Sequence, residues 1–210
     1  GHYGVATFHK DNLLTSSIGF ETDSEDAQCR LITSKHLLNE KEVTIINGYF
    51  PQGDNRDHPV KFPYKKKFFK DLMLHLNNNF KKNENIIILG DLNISPEDID
   101  IGIGEDNRKR WLATGKCSFL PEEREWLQKI KDWGFKDSYR KFYPDSDDKY
   151  SWFDYRSRGF DDSPKRGLRI DHLWVTESLL EMAKGADIDY EIRGMETVSY
   201  THLRAHETRY

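Results

Sequence analysis

The 210-residue sequence has no apolar run approaching the ~20 residues that cross a bilayer as a helix, and no secretory leader pattern. Nothing in it supports a membrane-embedded or secreted protein. Its two cysteines, Cys29 and Cys117, show no metal-ligand spacing and no disulfide framework, which fits a reducing, cytoplasmic setting. Neither sign of charge dominates: 32 Lys and Arg against 36 Asp and Glu give −4, no global signature of nucleic-acid binding. Repeats and low-complexity linkers are absent. The chain does not open on methionine but on what reads as a strand, Gly4-Val5-Ala6-Thr7-Phe8, so an N-terminal piece is expected to precede it.

The ingredients of one globular core are present. Apolar residues make up 36% and aromatics 13%, too many for a disordered polar chain. Val43-Thr44-Ile45-Ile46 predicts a buried strand ending at Asn47-Gly48, and Ile86-Ile87-Ile88-Leu89 a central strand ended by Gly90. Phe68, Phe69, Leu72, Leu76 and Phe80 recur at a helical period within residues 62–80. Pro121 opens and Gly134 stops a second predicted helix. Ile170 with Leu173-Trp174-Val175 predicts another strand, and Ile188 to Ile192 a last one. Strands interleaved with helices predict an α/β class, sheets inside and helices outside, in one domain.

The bases are locally gathered. Lys61, Lys65, Lys66, Lys67 and Lys70 form one group, Arg108 to Arg110 a second, and Arg156, Arg158, Lys165, Arg166 and Arg169 a third. Each reads either as a solvated face or as an approach for phosphates. Three polar clusters follow buried strands, where α/β folds hold their sites: Asn47 to Gly53, Gly90 to Pro96, and Arg169 to His172. In an extended segment Asp91 and Asn93 point to the same side, a carboxylate and a carboxamide able to hold a water and a phosphate oxygen. The plainer alternatives are a turn at Asp91–Asn93, an Arg169–Asp171 ion pair, and core packing for Trp152. His172 follows Asp171 directly, so a strand turns it to the opposite face, and it reads as structural.

Four stretches, Asn47 to Phe62, Gly90 to Gly104, Arg108 to Trp126 and Ser151 to Asp171, resemble the bacterial exonuclease III family. This is the apurinic/apyrimidinic endonuclease branch of the endonuclease/exonuclease/phosphatase superfamily. Gly90-Asp91-Leu92-Asn93 is common to the superfamily. Asn47 to Gly53 and Ser151-Trp152-Phe153-Asp154-Tyr155-Arg156 are far narrower and point to DNA repair. The resemblance implies a DNase I-like, two-sheet α/β sandwich with helices on the outer faces over residues 1–196. It implies a monomer that uses Mg²⁺, with Mn²⁺ as a substitute. The implied reaction on duplex DNA is phosphodiester hydrolysis 5′ to abasic sites, together with 3′-to-5′ removal of nucleotides and blocking groups.

The roles it implies are specific. Asp91 would orient or deprotonate water. Asn93 and Tyr49 would hold the scissile phosphate. Asp171 would orient a catalytic histidine. Asp91 and Asn93 would also meet the metal. Gln52, Arg56 and Lys61 would contact backbone phosphates. Trp152, Leu168 and Ile170 would take a flipped-out baseless sugar, and Phe153 and Arg156 would also bind substrate.

Two departures from the family pattern set further expectations. The family's metal-binding Glu lies before the point where Gly1 begins, and its Ser-Asp-His segment is replaced by Ser199-Tyr200-Thr201-His202. Residues 197–210 match no strand of the fold and read as a sequencing artefact. The 210-residue chain is therefore expected to nick DNA no faster than background. The rival readings are a superfamily phosphatase acting on inositol phosphates or phospholipid head groups, and a catalytically silent DNA-damage binder.

Overall fold

A computed structural model of the protein describes residues 3–10, 13–24, 27–154 and 156–194, and the backbone of 203–205. The elements in chain order are β1 (Leu13–Ile18), β2 (Leu31–Leu38), β3 (Lys41–Tyr49), α1 (Lys61–Asn79), β4 (Ile86–Asp91), α2 (Glu105–Ala113) and α3 (Pro121–Trp133). There follow β5 (Phe135–Asp137), α4 (Ser138–Phe142), β6 (Trp152–Phe153), β7 (Gly167–Leu168), β8 (Asp171–Thr176), α5 (Glu177–Met182), β9 (Ala186–Ile188), α6 (Tyr190–Arg193) and β10 (Leu203–Ala205). A single 3-10 turn, Asp98–Asp100, lies between β4 and α2.

Six strands form one mixed sheet in the order β1-β2-β3-β4-β8-β5. Only β3 and β4 run parallel, because α1 carries the chain back across the sheet between them. The continuous apolar run of β4 sits inside this sheet, as its composition predicts. Period-two alternation then sorts the strands by face. Ile46, Ile86 and Ile88 turn inward and join Phe68, Phe69, Leu72 and Leu76 of α1 and Trp126, Leu127, Ile130 and Trp133 of α3 in one buried cluster. The α/β class holds; the large sheet is accompanied by two-stranded ribbons β6–β7 and β9–β10.

Three expectations change. Gly4 to Phe8 is not a strand, and Phe8 is 96% exposed: the backbone bond from Val5 N to Cys29 O at 3.2 Å is an isolated one, not a ladder. The last predicted strand stops at Ile188, because the Asp189 carboxylate accepts from Ile192 N at 3.0 Å and caps the short helix α6. Within the tail, Leu203–Ala205 pairs antiparallel with β9, an edge with free backbone groups to satisfy. The rest of the tail, including the register of Ser199 and His202, lies outside the described residues.

Candidate active site

The site grows out of strand register. Tyr49 stands opposite Asp91 in the β3–β4 pair, and Asp91 stands opposite Asp171 in the β4–β8 pair. Directly opposed residues share a face, with Cβ atoms roughly 4.5–5.5 Å apart in an antiparallel pair. A tyrosine and two carboxylates thus form a row across three strands, on the face turned away from α1 and α3, each half-buried. Gly90 permits this: at φ 121°, a Cβ there would lie 2.1 Å from the Gly48 carbonyl oxygen.

Past β4 the chain turns instead of staying extended. Asn93 adopts φ 54°, a left-handed conformation that asparagine tolerates. Its backbone N donates to Asp91 Oδ1 at 2.8 Å, and its Nδ2 donates to Asp91 Oδ2 at 3.0 Å and to the Phe50 carbonyl at 2.9 Å. The turn and the Asp91–Asn93 pairing are therefore one structure. Both carboxamide N–H donors are committed, so Asn93 keeps no side-chain donor for a phosphate.

Burial raises the Asp91 carboxyl well above the usual carboxylate range, and the neighbouring Asp171 raises it further, against the pull of the Asn93 N–H groups and Lys65. Asp171 is raised to about 6 by burial, against its hydrogen bond with Ser151 and the charge of Arg193. Ser151 Oγ accepts from both Ile170 N and Asp171 N at 2.9 Å. Among the described residues no histidine bonds Asp171.

Arg169 does not pair with Asp171 either. It is buried, donating from Nε to Asp100 Oδ1 at 2.6 Å and from Nη2 to Asp137 Oδ2 at 2.7 Å. His172 faces the interior, as its position beside Asp171 predicts. Its Nε2 lies 2.9 Å from the Ile94 carbonyl and its Nδ1 3.1 Å from Arg169 Nη1, and burial lowers its pKa to about 4, so it is neutral and structural.

Among the described residues no group of three or more His, Cys, Asp or Glu side chains could hold a metal ion. A hard dication of the Mg²⁺ type, however, is commonly held by one or two carboxylates, with substrate phosphate and water completing the shell. Asp91 and Asp171, two facing carboxylates that repel each other, and the carboxamide oxygen of Asn93 fit such an ion in charge and donor type.

The peripheral residues divide. Arg56 Nη2 donates to Glu122 Oε2 at 2.8 Å, Lys61 Nζ to Asp54 Oδ2 at 2.7 Å, and Gln52 Oε1 accepts from Asp54 N at 2.6 Å. Each is engaged and would have to exchange partners to meet a phosphate. Trp152 is half-buried beside a small cluster in which Leu168 and Ile170 pack with Ile103, Trp111 and Phe119. Leu168, 1% exposed, and Ile170, 4% exposed, can form the floor of a pocket but not its contact surface. Phe153 alternates with Trp152 and turns the other way, buried among Tyr150, Phe160 and Tyr190. Its direct substrate role is set aside. Arg156 is exposed, with its backbone N on Asp154 Oδ1.

Sequence reading missed several supports. Arg30 donates from Nη1 to the Tyr49 carbonyl at 3.0 Å, and its guanidinium lies 4.8 Å from the Tyr49 ring centroid. Ser151 immediately precedes β6, and nothing local marks its hydroxyl as a support for Asp171. Lys65 and Arg193 carried no local signal.

The Endonuclease/Exonuclease/phosphatase family matches residues 1–199. Exodeoxyribonuclease III of Haemophilus influenzae is 54% identical over 199 residues, 95% of this chain and 74% of that protein. Among solved structures, the 3′ phosphatase NExo from Neisseria bound to product DNA hairpin superposes with TM-score 0.77 at 30% identity, covering 90% of this chain and 68% of that one. An AP endonuclease from Archaeoglobus fulgidus gives TM-score 0.76 at 28% identity, covering 91% and 68%. The chain belongs to the endonuclease/exonuclease/phosphatase family, and within it to the DNA-repair nucleases, enzymes that work with a divalent cation.

Proposed function

We propose that this protein hydrolyses phosphodiesters of duplex DNA beside abasic sites and at 3′ ends, as a cytoplasmic monomer using Mg²⁺ or, in its place, Mn²⁺. The observation that carries the reading is the row Tyr49–Asp91–Asp171 with Asn93 folded against its centre. Asp91, with a raised pKa, is the stronger base once ionised and takes the proton of the attacking water. Tyr49, beside it, donates to the phosphate whose charge develops. Asp91 and Asn93, with Asp171 alongside, would hold the metal ion, which when bound neutralises charge on the phosphate. Trp152, over its apolar floor, accepts a baseless sugar and excludes a full nucleotide by size.

With so few protein donors, metal affinity should be low. The sequence departures alone predict background-level nicking, but Asp91, Asp171 and Asn93 come together within the described residues. Cleavage of a duplex carrying one abasic site should therefore be near background at low Mg²⁺ and rise above it across the millimolar range, with loss on chelation. Binding should be measured on the same duplex. Cleavage indifferent to chelation would refute the reading, and binding with no cleavage at any Mg²⁺ concentration would make the chain a DNA-damage binder. Inositol phosphates should not be hydrolysed.

A further inference from the structure

Lys65 is fully buried, an expensive place for an ammonium group. Its Nζ donates to three acceptors: Glu123 Oε1 at 2.6 Å, the Asn93 carbonyl at 2.9 Å and the Gln52 carbonyl at 3.2 Å. That uses every donor it has. Glu123, equally buried, accepts on Oε2 from Ser118 N and Leu120 N, both at 2.8 Å. One ion pair therefore joins α1 and α3 to the loops after β3 and β4. The first loop is moulded onto the lysine stem, since a Cβ at Gly53 (φ 89°) would come 2.9 Å from Lys65 Cδ.

Stability does not explain this arrangement, because buried ion pairs are seldom better than apolar side chains of the same volume. Its targets do. Asn93 is held in the left-handed region by its own contacts to Asp91 and Phe50, and the carbonyl fixed by Lys65 belongs to that same residue. We propose that Lys65, braced by Glu123, is a positioning residue that fixes the Asn93 carboxamide beside Asp91 and sets the Gln52 loop against it. The inference rests on the nuclease reading of this site and adds a residue to it. Lys65 touches no substrate; it acts through Asn93.

The test uses the full chain with Lys65→Met/Glu123→Gln, which removes both charges at nearly constant volume. Two readouts are taken: the ¹⁵N–¹H resonances of the Asn93 side-chain amide, and single-turnover cleavage of an abasic duplex alongside the Kd for that duplex. The expected result is a shifted Asn93 amide, a cleavage rate lower by about 10²-fold, as for a catalytic group displaced by an ångström, and a Kd changed less than about 3-fold. Should the double variant not fold, Lys65→Arg keeps the charge but replaces the three divergent donors with a planar fork, and a smaller loss in the same direction is expected. A folded variant with an unmoved Asn93 amide and the parent rate overturns the proposal. If the parent chain does not cleave at all, the nuclease reading fails instead, and the Asn93 resonance alone decides the role of Lys65.

Discussion

Two carboxylate clusters meet the chain at the start of β8, one through Arg169 and the other through Asp171, and they are opposite in electrostatics. Asp100 and Asp137 close around Arg169, with Arg140 also on Asp100, and the guanidinium groups hold both carboxyls below the usual range despite burial. Asp91 and Asp171 face each other, and burial raises both against the weaker pull of Lys65 on the first and Arg193 on the second. On the proposed reading, the same side chain is thus structural in one cluster and reactive in the other. Environments that push like groups apart in pKa are how one fold assigns them different work.

The largest expected effect tests the reactive cluster. Asp91→Asn should cut cleavage by about 10²–10⁴-fold while leaving DNA affinity nearly intact, as measured by single-turnover kinetics and binding on one duplex. Near-parent cleavage would break the comparison at its functional end. The other end is tested by Asp100→Asn, which strands a buried arginine. Chemical denaturation should show a loss of about 3–5 kcal/mol, and an unchanged midpoint would mean the Arg169 cluster holds nothing together.

Stability against pH sharpens the contrast. The raised carboxyls of Asp91 and Asp171 favour the fold below the unfolded value near 3.9, and that contribution is lost as pH rises through their folded values, about 6 for Asp171. The lowered carboxyls of Asp100 and Asp137 contribute above the unfolded value and lose it as pH falls through their folded values. Asp91→Asn should therefore raise the thermal midpoint at pH 8 by roughly 2–4 °C and leave it unchanged at pH 4.

Two smaller effects concern the rim. Trp152→Ala should reduce the preference for abasic over normal nucleotides by about 10-fold, the scale of one apolar pocket contact, or impair abasic cleavage. Unchanged selectivity would return Trp152 to core packing. Glu122→Gln should free Arg56 and tighten duplex binding by about 2- to 5-fold at low salt, since an exposed pair of this kind is weak.

What the sequence disclosed follows from range. Period-two and helical patterns are local, so β4, α1 and α3 were legible within a residue or two. Asp91 and Asn93 were legible because their two-residue spacing survives even though the backbone between them turns. Long-range pairing was not: nothing in residues 61–70 distinguishes buried Lys65 from exposed Lys66, because its acceptors lie at positions 52, 93 and 123. The same reason hid Arg169's partners, 69 and 32 residues away, and left Asp171 as an apparent neighbour. Phe153 was misassigned by proximity to Trp152, although strand alternation predicts opposite faces.

The most direct test is a carboxyl ¹³C NMR titration of the four aspartates in metal-free protein. The account predicts that Asp91 and Asp171 titrate as a coupled pair displaced upward from the ordinary value near 3.9, while Asp100 and Asp137 remain ionised to below it. All four titrating together near 3.9 would contradict it.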